Sequence, residues 1–466
     1  MDEEQQASTT EAVPMEQALV GDWQAQLGAL CDRIAGRFKR VEVRARLRRY
    51  LTGLLLRVER KNSWQLAEAM GEAQPAGVQR LLRTAVWDVD GVRDDLQRYV
   101  CEALGDPEGI AVIDETGFLK KGTKSAGVKR QYSGTAGRSE NSQVGVFLAY
   151  ASATGRAFLD RRLYLPAEWA ADRARRQEAG IPTSVAFATK PALARAMLAH
   201  AFAAEVPIAW VTGDEAYGND PALRAWLEEE RRPYVLAVAC THQVWLAGTD
   251  GEPVVAAVRA LAAALPQTAW VRRSAGEGSK GPRWYDWSCV RLPRLPTDGL
   301  AKWVLVRRSC TDPSELAYYR VFGPQETRVD TMVHVAGTRW IIEEVIERAK
   351  GEVGLDQYEV RRYDGWYRAI TLALVAHAFL EVTRAHANAV GSGERGACAW
   401  PDPAECGRSA AVTAGRAHAH LSLRLPGSLV PLAASPPGHG RLSSSPNASP
   451  PPRCSPNYPS CLNLSL

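Results

Sequence analysis

Three acidic residues stand where apolar segments would bring them to a common point. Asp114 directly follows the apolar run 110–113, and Asp214 comes shortly after the apolar run 208–211. Glu343 lies in the amphipathic stretch 339–350. Two carboxylates at strand ends and a third on a helix can hold two divalent cations roughly 3.5–4 Å apart, which bind the attacking and leaving oxygens of a phosphodiester. The layout therefore predicts metal-dependent cleavage of DNA, provided that the three side chains meet.

The two aspartates repeat one design, in which an apolar strand is followed directly by a carboxylate. Gly213 precedes Asp214 and lets the backbone approach closely. The loop after Asp114 carries a cluster of lysines, Lys120, Lys121 and Lys124. These cations would neutralise phosphates beside the one that is cut. The alternative is that Asp114 or Glu115 only caps a turn, and the second copy of the design favours the catalytic interpretation.

The stretch around Glu343 aligns three charges along one edge of a helix. At about 100° per residue, Arg339, Glu343 and Lys350 fall within one narrow stripe. Such a stripe suits contact with a metal-bound DNA backbone. A solvated helix face with ordinary ion pairs is the alternative, and periodicity also leaves Glu344 and Glu347 open as rivals of Glu343.

The composition is that of a globular protein with more than one domain. The chain has 466 residues, 46% of them hydrophobic and 23% charged, and a formal net charge of +5. No apolar run approaches the length of a membrane span, and the acidic N-terminus lacks the pattern of a signal peptide. We therefore expect a cytoplasmic protein that associates with the nucleoid. The nine cysteines show no zinc-binding spacing, and the clustered basic residues permit a polyanionic partner.

Hydrophobic periodicity divides the chain into four parts. Residues 1–15 are expected to be disordered, and 16–105 repeat apolar residues at helical spacing, which predicts an all-helical domain. Over 106–387, strand-like runs come first and alternate with helices later, which predicts an α/β domain with a mixed sheet and a β-rich insertion at 241–300. The Pro- and Ser-rich segment 388–466 has no apolar period and is expected to be disordered.

The helical domain has the outline of a DNA reader. Asn62 is a suitable N-cap for a helix, which a Gly- and Pro-containing turn separates from a second, basic helix with Arg80 and Arg83. This order is typical of a helix-turn-helix, whose second helix enters the major groove. A helical bundle without groove contacts is the alternative.

The pattern within the α/β domain also predicts individual elements. A ribbon of two strands is expected over 143–151 and 157–165, with its turn at Thr154 and Gly155. Five helices are also expected, over 190–206, 221–231, 253–265, 329–352 and 366–385.

The chain resembles DDE transposases of the bacterial insertion-sequence type, which have an RNase-H-like core. In a large group of these enzymes the third acidic residue lies in the signature Y-x2-R-x3-E-x6-K. Arg339, Glu343 and Lys350 match this signature in register, whereas Ala336 occupies the tyrosine position. The resemblance extends over about 22–386.

The resemblance implies a transposase that binds the inverted repeats of its own element, cleaves the DNA and joins the freed 3′-hydroxyls to a target. It implies that Asp114, Asp214 and Glu343 hold two Mg²⁺ ions, for which Mn²⁺ can substitute. One ion would activate the attacking water or hydroxyl, and the other would stabilise the leaving oxygen. Arg339 and Lys350 would bind phosphates.

The implied partner is double-stranded DNA, at the element ends and at the target, with the protein assembled on it as a homodimer. No membrane partner is expected. Aromatic residues of the insertion would stack on an unpaired base or pack in a core: Trp270, Trp284, Tyr285 and Trp287. Two other functions stay open, a DNA-binding remnant of a transposase that has lost cleavage through an altered tail, and a related nuclease without strand transfer.

Overall fold

The computed structural model describes five stretches of the chain: 22–134, 137–247, 252–278, 281–293 and 299–391. The segment 1–15 and the tail from residue 392, for which the sequence predicts disorder, lie outside the described residues. Residues 388–391, which the sequence assigns to the tail, belong to the last helix. Among the described residues no helix is both long enough and apolar enough to cross a membrane.

The N-terminal part is helical. Its elements are α1 (22–35), α2 (Val41–Leu55), α3 (Ser63–Ala69), α4 (Ala76–Arg83) and α5 (Val89–Leu104). Asn62 caps α3 as predicted, because its side chain accepts hydrogen bonds from the backbone N–H groups of Trp64 and Gln65. The last turn of α4 presents Arg80 and Arg83 to solvent. The helix, turn and basic second helix of the sequence prediction are therefore present.

The second part is built on β-strands. The described strands are β1 (Ile110–Leu119), β2 (Lys129–Ser133), β3 (Arg138–Ala151), β4 (Arg156–Tyr164), β5 (Trp210–Gly213), β6 (Tyr234–Val238), β7 (Gln243–Ala247), β8 (Pro253–Ala257), β9 (Val271–Gly278), β10 (Gly281–Arg291), β11 (Leu300–Ser309) and β12 (Leu316–Pro324). The ribbon of β3 and β4 turns at the predicted place, where the Ser152 N–H donates to the Gly155 carbonyl at 2.9 Å.

Nearly all of these strands join one mixed sheet. Its order is β2-β3-β1-β5-β6-β12-β11-β10-β9, and β4 pairs with β3. β1 is antiparallel to β3 and parallel to β5, which is parallel to β6. This mixed α/β architecture was predicted from the sequence and is consistent with an RNase-H-like fold. The segment 241–300, predicted as an insertion, is partly continuous with the core, because β9 and β10 extend the main sheet while β7 and β8 pair separately.

Helices cover the sheet. They are α6 (Ala167–Ala171), α7 (Arg173–Ala179), α8 (Lys190–Ala203), α9 (Glu215–Gly218), α10 (Pro221–Glu229), α11 (Val258–Ala263), α12 (Val329–Thr338), α13 (Trp340–Val353) and α14 (Tyr363–Gly391), with a 3-10 turn at Gln267–Ala269. The apolar helix α14 contacts α2, α4, α5, α13 and β4, and its Trp366, Ile370 and Leu374 are fully buried. The helical part and the sheet therefore share one hydrophobic core.

Three helix predictions differ from the structure. Residues 253–257 form strand β8 rather than helix, since Val254 and Val255 pair across the hairpin with Leu246 and Trp245. The single helix predicted over 329–352 is divided into α12 and α13 at Arg339. There the Thr338 hydroxyl donates to the His334 carbonyl at 2.9 Å, a bond that often bends helices. The last helix is longer than predicted at both ends.

Candidate active site

β1 and β5 bring Asp114 and Asp214 to neighbouring positions. Ile113 and Gly213 are the last paired residues of the two parallel strands, and the aspartates follow directly. The sequence predicted that Asp114 ends its strand, but β1 continues to Leu119. Only the pairing with β5 ends there. Asp114 therefore lies in mid-strand, beside the point where β5 ends and α9 begins.

The turn that carries Asp214 is fixed by its own backbone. The Asp214 carboxylate caps α9 and accepts a hydrogen bond from the Ala216 N–H at 2.9 Å. A Cβ added to Gly218 would lie 1.8 Å from the Ala237 carbonyl oxygen, so that only glycine lets this turn approach β6. The sequence GDEAYG thus encodes both the cap and the close approach.

The environment of the two aspartates disfavours their negative charges. Burial, followed by the charges of Asp214 and Glu115, raises the pKa of Asp114 to about 7. The pKa of Asp214 is also raised, by burial and by Glu115. Among the described residues, no lysine or arginine lies within ion-pair distance of either carboxylate. Two adjacent carboxylates without a basic partner suit a divalent cation, which prefers hard oxygen ligands.

Helix α13 packs against the same strand. The Lys350 ammonium donates to the Thr116 hydroxyl at 2.8 Å, which fixes the end of α13 to β1. Burial raises the pKa of both Asp114 and Asp214, and the positive charge of Arg339 at the start of α13 acts in the opposite direction on each. Arg339 and Lys350, the two basic residues of the signature, therefore both act on the part of β1 around Asp114. Glu343 lies between them in the sequence of the helix.

The side chain of Glu343 does not join the aspartates in this structure. It is 59% exposed and lies 3.5 Å from the Arg339 guanidinium, one helical turn away. In the part of the chain that is described, no group of three or more His, Cys, Asp and Glu side chains is placed to hold a metal ion.

Glu344 and Glu347, the alternatives to Glu343, have different surroundings. Glu344 forms an ion pair with Arg156 of β4 at 2.9 Å, and Glu347 is exposed. Glu343 therefore differs from Glu344 in that its ion pair is local, to Arg339 directly before α13.

The predicted phosphate-binding lysines differ in their surroundings. The Lys120 ammonium donates to the Tyr358 carbonyl at 3.1 Å and lies 3.6 Å from the centre of the Tyr358 ring. Burial lowers the pKa of Lys120 to about 8. Lys124 forms an ion pair with Glu178 at 2.7 Å, and Lys121 is exposed. Lys120 thus packs inside the protein, contrary to the role that the sequence suggested, whereas Lys121 faces solvent.

The aromatic residues of the segment 241–300 are mostly packed. Trp287 is buried, and Trp270 lies under the Arg308 guanidinium at 4.1 Å. Tyr285 stacks on Trp340 with the ring centres 6.1 Å apart. Trp284 is 53% exposed.

Tyr217 and Lys190, which the sequence did not single out, contact Glu115 beside the two aspartates. The Tyr217 hydroxyl donates to the Glu115 carboxylate at 2.6 Å, and Lys190 forms an ion pair with the same carboxylate. Their sequence signal is weak: Glu115 follows Asp114, and Tyr217 lies one helical turn after Asp214. Spacing alone does not show that these two side chains meet.

Comparison with known proteins is consistent with this site. A family model described as "DDE superfamily endonuclease" matches residues 33–260, which include Asp114 and Asp214. A curated relative, "Probable transposase for insertion sequence element IS701" from Microchaete diplosiphon, is 29% identical over 194 residues. That alignment covers 41% of this chain and 48% of the relative, so that the chain spans about half the length of the curated relative it matches.

Among solved structures, the cryo-EM structure of a piggyBac transposase synaptic complex with hairpin DNA is similar over 76% of this chain and 67% of that chain. The identity is 11% and the TM-score 0.36.

The family match makes residues 33–260 of this chain similar to the DDE superfamily endonucleases. The curated relative makes the chain similar, over 194 residues, to a probable insertion-sequence transposase. The resemblance on which the sequence prediction depended is thereby confirmed.

Proposed function

We propose that this protein is a DNA transposase that binds the inverted repeats of its own element, cleaves the DNA with divalent metal ions and joins the freed ends to a target. The observation that carries the proposal is the adjacency of Asp114 and Asp214, which are partly buried and have no basic partner. A buried acid without a partner is costly, and a site that binds a cation offsets that cost.

The proposed ligands of two Mg²⁺ ions are Asp114, Asp214 and Glu343, and Mn²⁺ is expected to substitute. When bound, such ions lower the pKa of the attacking water or hydroxyl and stabilise the leaving oxygen. Glu343 reaches the aspartates by leaving Arg339, its partner in this structure. The guanidinium of Arg339 then becomes available to a DNA phosphate, so one side-chain exchange prepares both the metal site and a DNA contact.

The proposed DNA contacts come from both parts of the chain. Exposed basic side chains are available on α4 and in the loop after β1: Arg80, Arg83 and Lys121. Lys350 holds α13 on β1 through Thr116 and lies on the same side of the helix as Arg339. The proposed partner is double-stranded DNA in the cytoplasm, with a homodimer assembled on two element ends.

A cleavage assay tests the proposal. The full-length protein is incubated, with and without Mg²⁺, with a supercoiled plasmid that carries the DNA flanking this gene. We expect metal-dependent cleavage and joined products from the wild type, no cleavage by Asp214→Ala and Glu343→Gln, and wild-type activity from Glu347→Gln, the matched control on α13.

The other outcomes separate the alternatives. Retained binding of the plasmid without nicking would indicate a DNA-binding remnant. Cleavage without joined product would indicate a nuclease that lacks strand transfer. Cleavage that does not depend on Asp214 would contradict the proposed site.

A further inference from the structure

We propose that the hydrogen bond between the Tyr217 hydroxyl and the Glu115 carboxylate sets the relative position of the two catalytic aspartates. Glu115 follows Asp114 directly on β1, and Tyr217 lies in the turn that Asp214 caps. This inference rests on the proposed function, because it assigns a positioning role at the same site. Glu115 and Tyr217 are positioning residues and are not proposed as metal ligands.

The backbone alone does not hold the two aspartates together. The ladder of β1 and β5 ends at Ile113 and Gly213, one residue before each aspartate. The Tyr217–Glu115 bond, at 2.6 Å between the hydroxyl and the carboxylate oxygen, continues the connection beyond the end of the ladder. It joins the residue after Asp114 to the helix that Asp214 begins.

Tyr217 is well placed for this role because it is fully buried. Its phenol is therefore shielded from solvent, and its bond goes to a charged acceptor, which makes it short and strong. The opposite side of the turn is held by the close approach of Gly218 to the Ala237 carbonyl. The short helix α9 is thus fixed between β1 and β6.

Glu115 differs from Asp114 in its partners. Successive side chains of a strand point to opposite faces, so Glu115 lies on the face of β1 opposite to that of Asp114. There it accepts the Tyr217 hydrogen bond and forms an ion pair with Lys190 at the start of α8. Because Glu115 already has a cation and a hydrogen-bond donor, its role is to hold the turn rather than to bind a metal.

The consequence concerns metal affinity. A divalent cation shared by two carboxylates requires well-defined distances, and groups that orient metal ligands typically change metal affinity 10–100-fold when they are removed. Loss of the Tyr217 hydroxyl should therefore weaken metal binding more than it slows the reaction at saturating metal.

The test compares two conservative variants in the full-length protein. Tyr217→Phe removes only the hydroxyl beside the aspartates. Tyr234→Phe is the matched control, because Tyr234 is also fully buried and its hydroxyl also donates to a carboxylate, that of Glu228 at 2.8 Å, on strand β6. Mn²⁺ affinity is measured by electron paramagnetic resonance, and plasmid cleavage is measured as a function of Mg²⁺ concentration.

We expect Tyr217→Phe to weaken Mn²⁺ binding about tenfold and to raise the half-saturating Mg²⁺ concentration by a similar factor. The cleavage rate at saturating Mg²⁺ and the affinity for DNA should change less than threefold. Tyr234→Phe should keep wild-type metal dependence. Glu115→Gln, which keeps an acceptor for the Tyr217 hydroxyl, should lose less metal affinity than Glu115→Ala.

The proposal is overturned if Tyr217→Phe and Tyr234→Phe have the same metal affinity as the wild type. It is also overturned if Glu115→Gln and Glu115→Ala are equally impaired. A wild type that binds Mn²⁺ without cleaving DNA would instead contradict the proposed function, and the Mn²⁺ measurements would still decide the role of Tyr217.

Discussion

Two neighbouring regions of the sheet contain buried acids with opposite surroundings: one acid is paired with arginines and the other is not. On β4, Asp160 is completely buried and forms ion pairs with Arg93 at 2.9 Å and Arg161 at 3.1 Å. On β1, two strands away, Asp114 lies beside Asp214 without a basic partner among the described residues. The first arrangement is complete within the chain, whereas in the second no described lysine or arginine forms an ion pair with either carboxylate.

The paired acid on β4 belongs to a network that connects different parts of the fold. Arg161 also contacts Asp90 of α5 at 3.1 Å and the Thr371 hydroxyl of α14 at 2.8 Å. These bonds connect the helical part, the sheet and the last helix. The acid that connects these elements is therefore paired with arginine, whereas the acids of the proposed metal site have no such partner among the described residues.

Removal of an unpaired acid should abolish activity. Asp114→Asn and Asp214→Asn are expected to lower metal-dependent plasmid cleavage by at least about a thousandfold, because each removes a charged ligand of the cations. The variants should remain folded and should bind DNA as the wild type does. Gel-shift and cleavage assays on the same preparations make the comparison, and residual cleavage above a tenth of the wild-type rate would contradict the assignment.

Removal of the paired acid should damage stability instead. Asp160→Asn removes a buried charged partner from Arg93 and Arg161, which keep Asp94 and Asp90, and breaking such a pair costs about 3–5 kcal/mol. We expect a decrease of this size in the free energy of unfolding, measured by chemical denaturation of the full-length protein. An unchanged free energy of unfolding would show that the network does not hold the two parts together.

The unpaired acid should itself reduce stability at high pH. The folded-state pKa of Asp114, about 7, is above its ordinary value of 3.8, so its favourable contribution is complete below pH 3.8 and is lost as the pH rises through 7. Without metal, Asp114→Asn should therefore be more stable than the wild type by about 1–3 kcal/mol at pH 8, and by less at pH 5. Mg²⁺ should reduce the difference at pH 8. Denaturant unfolding at the two pH values measures this difference. A larger stabilisation by Asp114→Asn at pH 5 than at pH 8 would contradict the expectation.

Neighbouring lysines should show the smallest effects, of two different kinds. Lys121→Ala should lower the slope of log binding constant against log salt by about 1 and leave stability unchanged, because Lys121 is exposed. Lys120→Ala should reduce stability and leave the salt slope unchanged, since Lys120 packs on Tyr358. Salt-dependent gel shifts and thermal unfolding separate the two, and equal slopes for both variants would remove the distinction.

The sequence predicts the parts of the site that depend on local pattern. Apolar runs before Asp114 and Asp214 indicate two strands, and the spacing of Arg339, Glu343 and Lys350 indicates one helix edge. The structure places the two aspartates together and bonds Lys350 to Thr116 on the same strand.

The features that the sequence does not predict depend on tertiary contacts. β1 continues past Asp114 because β3 pairs with it along its whole length. The packing of Lys120 on Tyr358 and the Tyr217–Glu115 bond join residues 238 and 102 positions apart. No periodicity along the chain encodes such pairs, since they are set by the register in which the elements meet.

The central claim is that Asp114 and Asp214 form a divalent-cation site. Titration of the full-length protein with Mn²⁺, followed by electron paramagnetic resonance with and without DNA from an element end, tests it most directly. The account predicts saturable binding by the wild type, at least tenfold weaker binding by Asp214→Asn, and wild-type binding by Asp160→Asn under conditions where it is folded. Saturable binding that persists unchanged in Asp214→Asn, or its absence from the wild type on DNA, would contradict the claim.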